Sequence, residues 1–294
     1  MKVFMAKNRA VGKELERAMF MGRATHCNAD IYSVDGATSP RLLEEVCRLR
    51  RESYRGVGIA LDDGADGDMA DRDGTYRQLV VWDREREEVV GGYRYAVGRE
   101  ARVEQLSLNR YMVLSDRFVG EYLPRGVELG RSFVSPRYQS GGNALTIYAL
   151  DAIWEGLARV VKQESVEYLF GRVTLYDSLG AKARNLLVGY MRYASPVSEQ
   201  LMVAREPFKV GISRRQYNEI FIGDTAQENY RILLSKMRQM DYRIPPIISS
   251  YLRLSPTLKL FDSYKNRSLG GVVECAIMLN VSEFYDNVKS RYRI

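Results

Sequence analysis

One histidine, His26, and three cysteines, Cys27, Cys47 and Cys275, are all that this 294-residue chain offers of the usual metal-binding and nucleophilic side chains. A single imidazole excludes multi-histidine metal sites, and any histidine-dependent triad would have to run through His26. His26 and Cys27 are neighbours in ATHCNAD, and adjacent residues chelate one metal poorly, so no metal site is expected. Three widely spaced cysteines without a CxxC pair build no disulfide framework and fit a reducing compartment. Long apolar runs are missing too. No stretch of about 18 apolar residues occurs, and the N-terminus MKVFMAKNRAVGKELERAMFMG has no uninterrupted apolar segment. Neither a signal peptide nor a spanning helix is indicated, and a cytoplasmic protein, free or peripheral on the inner face of the membrane, is expected. Recognition-helix, RNP-type and zinc-spacing patterns are absent, which sets nucleic acid aside. Acid–base work therefore falls to carboxylates, tyrosines or water.

What the chain does have is core and a mild basic excess. Forty-six per cent hydrophobic residues suffice for a packed domain, and 44 basic against 37 acidic residues give a net charge of +7. The charges are scattered rather than blocked, which permits an acidic partner such as a carrier protein or an anionic membrane surface. Residues 1–38 read as an N-terminal extension, with a basic helix over Lys7 to Met21. Residues 39–294 read as one α/β domain with a helical C-terminal elaboration. Ser39-Pro40 is a helix start, followed by Leu42, Leu43, Val46 and Leu49 at helical spacing together with Arg48, Arg50 and Arg51. An acidic loop, GVGIALDDGADGDMADRDGTY (Gly56 to Tyr76), comes next, without the calcium-loop spacing. RQLVVWD and EVVGGYRYAVG then form an antiparallel hairpin turning at Arg84 to Glu87, and Arg94 interrupts its second strand.

The stretch VELGRSFVSPRYQ, Val127 to Gln139, reads as a central strand. It carries Glu128 and Arg131, charged residues that are costly to bury alone. Three apart on a regular strand they face opposite sides, but a bulge at Gly130 brings both to one side. A glycine-containing turn and the helix ALTIYALDAIWEGLARVV follow, then a further strand, VEYLFGRVTLY. This β–loop–helix–β order makes the two strands parallel neighbours. Such a kinked strand suits an anionic ligand or an acyl carrier; a structural ion pair is the competing explanation.

Taken in order, the acidic loop before YRQLVVWD, GGYRY at Gly91 to Tyr95, ELGRSFVSPRYQ, FGRVTLY at Phe170 to Tyr176 and IPPIISSYLRLSP resemble the GNAT acyltransferase fold. That is a mixed, mostly antiparallel sheet with a splayed parallel strand pair, flanked by helices. Within it the chain resembles bacterial acyl-carrier-protein-dependent N-acyltransferases of ornithine- and glycine-lipid synthesis, often labelled hemolysin-related. The wording is nearest the Bacteroidetes glycine N-acyltransferase type. The resemblance covers residue 40 to the C-terminus. It implies transfer of a (3-hydroxy)fatty acyl group from the phosphopantetheine thioester of acyl carrier protein to an amino acid's α-amine, with no bound cofactor.

The resemblance also implies roles. Glu128 and Arg131 match the paired Glu and Arg of the family's central strand, and Arg94 the arginine of the preceding hairpin; the mechanism expected from them has Glu128 as base, Arg131 and Arg94 orienting reactants, and Tyr176 or Tyr148 protonating the leaving thiolate. Arg51 matches the arginine of the first helix. Counting back from QLVVWD without gaps makes Asp68 and Asp73 the loop aspartates, whereas a two-residue insertion makes them Asp66 and Asp71. Phe133 and Phe170 line the acyl chain. Arg137, Gln139, Gly141 and Gly142 approximate the donor phosphate loop of CoA-dependent relatives. Arg77 stands where such chains often carry histidine. The competing readings are an acyl-homoserine-lactone-type synthase, a CoA-dependent acetyltransferase and a non-enzymatic membrane-active or acidic-partner-binding protein.

Overall fold

The computed structural model describes residues 11–25, 28–56, 58, 69–140 and 143–294. In chain order the strands are β1 (Met19–Arg23), β2 (Ala29–Asp35), β3 (Arg77–Asp83), β4 (Glu88–Val97), β5 (Met112–Leu114), β6 (Gly126–Val134), β7 (Tyr168–Leu175), β8 (Met202–Ala204), β9 (Lys259–Asn266) and β10 (Val272–Asn280). The main helices are α1 (Pro40–Gly56), α2 (Asn143–Gln163), α3 (Ala181–Ala194), α4 (Arg214–Ile220), α5 (Ala226–Gln239) and α6 (Pro246–Leu254). The chain divides into two compact units. Unit 1 comprises Met1–Gln105, Val127–Val166 and Tyr292–Ile294, and unit 2 comprises Leu106–Gly126 and Glu167–Arg291. The two strands expected to run parallel, β6 and β7, fall one in each unit.

In unit 1, β1, β2, β3, β4 and β6 pair in that order, every pair antiparallel. Residues 1–38 thus contribute β1 and β2 to this sheet. The helix expected over Lys7 to Met21 is helical at 11–15, and Met19–Arg23 pairs with β2 instead. Side-chain alternation on β3 sorts its residues between two helices. Val80 and Trp82 join Leu42, Val46 and Leu49 of α1 in one core cluster, with Phe133 of β6. Leu79 points the other way, toward α2, where a Cβ on Gly156 would come within 2.9 Å of it. Two glycines of GGYRY are demanded by this packing. A Cβ on Gly92 would lie 2.0 Å from the Leu79 carbonyl oxygen, and one on Gly91 2.5 Å from that of Phe133. Helix α1 begins at Pro40 as its start signal predicts. Its first turn is satisfied from elsewhere, the Glu14 carboxylate accepting from Leu42 N–H at 2.9 Å.

In unit 2, β10 lies between β7 and β9, antiparallel to both, and β5 and β8 form a separate two-stranded ribbon. Capping boxes start α4 (Ser213 with Gln216) and α5 (Thr225 with Glu228). Cys275 sits fully buried on β10, and burial pushes its thiol up to about 12, so it is not a nucleophile at neutral pH. No helix among the described residues is long and apolar enough to cross a membrane.

Candidate active site

The buried stripe of α1 carries one cation. Leu42, Val46 and Leu49 turn Arg50 inward, and its side chain is 1% exposed. The short helix Met69–Arg72 lays Asp71, equally inaccessible, against it. Tyr76 and Gln78 share the α1-facing side of β3 with Val80 and Trp82, because residues two apart on a strand face the same way. Arg94 of β4 is the register partner of Gln78.

On β6 the register decides the rest. Gly92 pairs with Phe133 but Arg94 pairs with Gly130, so two steps on β4 face three on β6, and β6 is bulged between Gly130 and Phe133. The bulge expected at Gly130 thus falls at Arg131 and Ser132, and Arg131 takes the left-handed φ of 53°. For a non-glycine residue that costs about 1–2 kcal/mol. The extra residue shifts the alternation, so that Gly130 and Glu128 come onto the side of Phe133 and Arg94, facing α1.

These side chains form one buried network. The Asp71 carboxylate accepts from Arg50 Nη2 at 3.4 Å, Arg94 Nη1 at 3.4 Å and Gln78 Nε2 at 3.2 Å. Gln78 Oε1 accepts from Arg50 Nη1 at 3.4 Å, and Arg50 Nη2 also reaches Cys47 Sγ at 3.3 Å. The Arg94 guanidinium lies 4.2 Å over the Tyr76 ring, whose hydroxyl donates to Glu128 Oε2 at 2.7 Å. Two guanidiniums thus meet two carboxylates, all buried. Desolvating each ion costs several kcal/mol, which pairing between the opposite charges offsets. Beside the network, a Cβ on Gly130 would meet no atom of the described residues within 4 Å.

Several expected site residues stand elsewhere. The α1 arginine that bonds Asp71 is Arg50; Arg51 lies about 100° further round the helix and is half-buried. Asp73 is exposed and accepts from Thr75 N–H at 2.9 Å in a local turn, while Asp71 takes the buried position. Asp68 lies outside the described residues, as do Gly141 and Gly142. Phe133 is core under α1. Phe170 is core of unit 2, edge-on to Phe118 at 5.1 Å. Both were expected along the acyl chain, but their apolar surface is already covered by protein. Tyr176 follows β7 in unit 2, half-buried. Arg137 is exposed and bonds Glu88 at 3.0 Å, and Gln139 donates to Ser53 Oγ at 2.7 Å and Val134 O at 2.8 Å. Sequence reasoning missed Tyr76 and Gln78. The signal was available in Gln78, a polar residue within RQLVVWD on the same face as its apolar neighbours.

Residues 49–149, which include Arg50, Asp71, Tyr76, Gln78, Arg94 and Glu128, match the acetyltransferase (GNAT) domain model. The fold is that of an acyltransferase of this class. Over 273 residues the chain is 34% identical to the glycine N(alpha)-acyltransferase of Bacteroides thetaiotaomicron, covering 90% of this chain and 81% of that protein. It is 33% identical over 271 residues to the glycine N(alpha)-acyltransferase of Phocaeicola vulgatus, covering 90% and 83%. The chain belongs to the glycine N(alpha)-acyltransferase family. Among solved structures, an N-acyl amino acid synthase from uncultured soil microbes aligns over 87% of this chain and 92% of its own, at 9% identity and a TM-score of 0.43.

Proposed function

We propose that this N-acyltransferase moves a fatty acyl group from the thioester of acyl carrier protein to the α-amine of glycine. The observation that carries the reading is Glu128, buried on the bulged strand and held by the Tyr76 hydroxyl next to Arg94. The chemistry needs a base, because a glycine ammonium is not nucleophilic. Glu128 takes one proton, directly or through water, and the amine nitrogen attacks the thioester carbonyl. The carbonyl oxygen becomes an oxyanion, and N–H groups at the bulge, where the extra residue leaves the ladder, are its donors in this reading. Collapse breaks the C–S bond. The proton on Glu128 passes to the departing thiolate and the second proton of the attacking nitrogen leaves to water, giving N-acylglycine, free carrier thiol, ionised Glu128 and one released proton. No covalent enzyme intermediate is required.

A carrier-protein donor presents a phosphodiester and no pyrophosphate, and the surroundings of Arg137 favour such a donor. It borders a cleft of about 220 Å³ where Glu45, Glu52 and Glu88 outnumber Arg48 and Arg137. Carboxylates there would repel a pyrophosphate.

The test is lipid mass spectrometry on cells expressing the wild type beside Glu128→Gln. A new N-acylglycine that disappears in the variant is expected, as is a drop of about 100-fold or more in turnover with purified acyl carrier protein. Undiminished product from Glu128→Gln would remove the base assignment. A purified enzyme that prefers acyl-CoA would overturn the donor.

A further inference from the structure

Unit 2 carries a basic pocket and an exposed apolar pair on one face. The pocket, about 370 Å³, is lined by Arg110, Tyr111, Arg205, Tyr264, Lys265 and Arg267, with Glu206 and Ser268. Four cations there face one carboxylate. Arg267 and Glu206 approach to 3.6 Å, but both side chains are more than four-fifths exposed, so that pair is weak. Arg110 lies 5.6 Å over the Tyr111 ring, and Lys265 lies 4.5 Å over that of Phe208. Among the described residues neither has a carboxylate within salt-bridge distance. Arg205 is braced by Asn109, donating to its carbonyl at 3.1 Å and its Oδ1 at 3.3 Å. The wall is aromatic, Tyr111 stacking on Tyr264 at 4.7 Å.

The β5–β8 ribbon continues from this pocket. Its outermost residues are Val113 and Val203, direct register partners and 50% and 40% exposed, while Met112, Met202 and Ala204 are buried beneath. Arg205 N–H donates to Tyr111 O at 2.9 Å, which extends the ladder by one step. Alternation then sets Tyr111 and Val113, and Val203 and Arg205, on the same outward side. An apolar pair thus adjoins a tyrosine and a cation-lined cavity.

We propose that this face of unit 2 is a membrane-contact surface, whose basic pocket takes the phosphate headgroup of an anionic phospholipid while the two valines enter the headgroup boundary. The charge matches anionic lipid, and tyrosine is at home at such an interface. A soluble phosphate would fill the pocket but leave the valines in water. The proposal goes beyond acyl transfer and does not depend on it, since binding is read without turnover. It also gives an amphiphilic product a bilayer to enter.

The test is flotation of the full chain with vesicles of phosphatidylcholine alone, or of phosphatidylcholine mixed with phosphatidylglycerol. Binding is expected only to the mixed vesicles and to weaken with salt. The double variant Arg110→Glu/Lys265→Glu should bind about tenfold or more weakly, and Val113→Ser/Val203→Ser should also lose binding. Arg215→Glu/Arg238→Glu, an equal charge change on exposed residues of α4 and α5, should bind as wild type does. Circular dichroism checks that each variant is folded. Equal loss in the Arg215/Arg238 control, or retention in both pocket and valine variants, would overturn the proposal. So would inorganic phosphate that abolishes vesicle binding at millimolar concentration in constant ionic strength. A pocket variant that binds vesicles normally but loses activity with acyl carrier protein would make this a protein-docking face instead.

Discussion

Asp71 and Asp73 are two residues apart in one loop, yet their surroundings assign them opposite roles. Asp71 is buried between Arg50 and Arg94, whereas Asp73 is exposed and bonds only a nearby backbone N–H. Asp71→Asn would leave two buried guanidiniums facing a neutral amide, and a loss of about 3–5 kcal/mol in urea unfolding is expected. Asp73→Asn keeps a side chain that makes the same turn and should stay within about 0.5 kcal/mol. Reversed magnitudes would return the loop role to Asp73. At this scale the sequence was only partly legible. Glu128, Arg131 and Arg94 stood out because a charge in an apolar strand is conspicuous. Arg50 did not, because three arginines lie on α1 and only the helical phase tells them apart. The aspartate choice turned on loop length, which side-chain pattern does not report. Tyr76 was hidden among 20 tyrosines, since nothing local distinguishes a tyrosine that reaches Glu128, 52 residues away.

The hairpin and the bulged strand behave as elements whose glycines and turn carboxylate have separable jobs. Gly92→Ala would drive a methyl into the Leu79 carbonyl, where backbone on neighbouring strands has little room to yield, and about 3 kcal/mol or more should be lost. Gly130→Ala meets no atom of the described residues within 4 Å, so its stability should stay within about 1 kcal/mol of wild type or rise. Its turnover should fall nonetheless, because the methyl occupies space beside Glu128 and Arg94 that the reactants need. Full activity in Gly130→Ala would mean that no reactant passes there. The hairpin turn adds a pH signature. Burial alone would raise the Asp83 carboxyl, but bonds from Arg86 N–H, the Tyr138 hydroxyl, the Arg86 guanidinium and Glu85 N–H outweigh it and hold it below its ordinary value. A lowered carboxyl contributes stability that is complete above the unfolded value, about 3.9, and is lost as pH falls through the folded one. Wild type should therefore lose stability below about pH 4, and Asp83→Asn, less stable at neutral pH, should converge with it in acid. Parallel curves would remove Asp83 from acid unfolding. The helix at Ser39-Pro40, the hairpin and the bulge were readable because each has a local chemical cause. The exact bulge residue was not. Gly130 is the obvious candidate, yet the register against β4 puts the left-handed φ on Arg131.

Across the whole molecule, scarcity and charge constrain the mechanism together. With one histidine, and with Cys47 and Cys275 both buried, the carboxylate chemistry proposed for Glu128 has neither of those two thiols as an accessible competitor. The net charge of +7 acts at longer range than any of these groups. If the acyl donor is an acidic carrier protein, opposite net charges raise the encounter rate, and salt removes that advantage. The Debye length is about 30 Å at 0.01 M and about 8 Å at 0.15 M ionic strength, so charges spread over the surface steer only in the first condition. Chemistry at a buried network is screened far less. These two dependences separate donor capture from acyl transfer. With acyl carrier protein as donor, kcat/KM should fall several-fold between those ionic strengths while kcat changes little. An uncharged acyl thioester of N-acetylcysteamine should show no such fall in kcat/KM, because it has no charge to be steered. An equal fall for both donors would place the salt effect on the enzyme itself, and no fall for either would mean that the basic excess takes no part in capturing the donor.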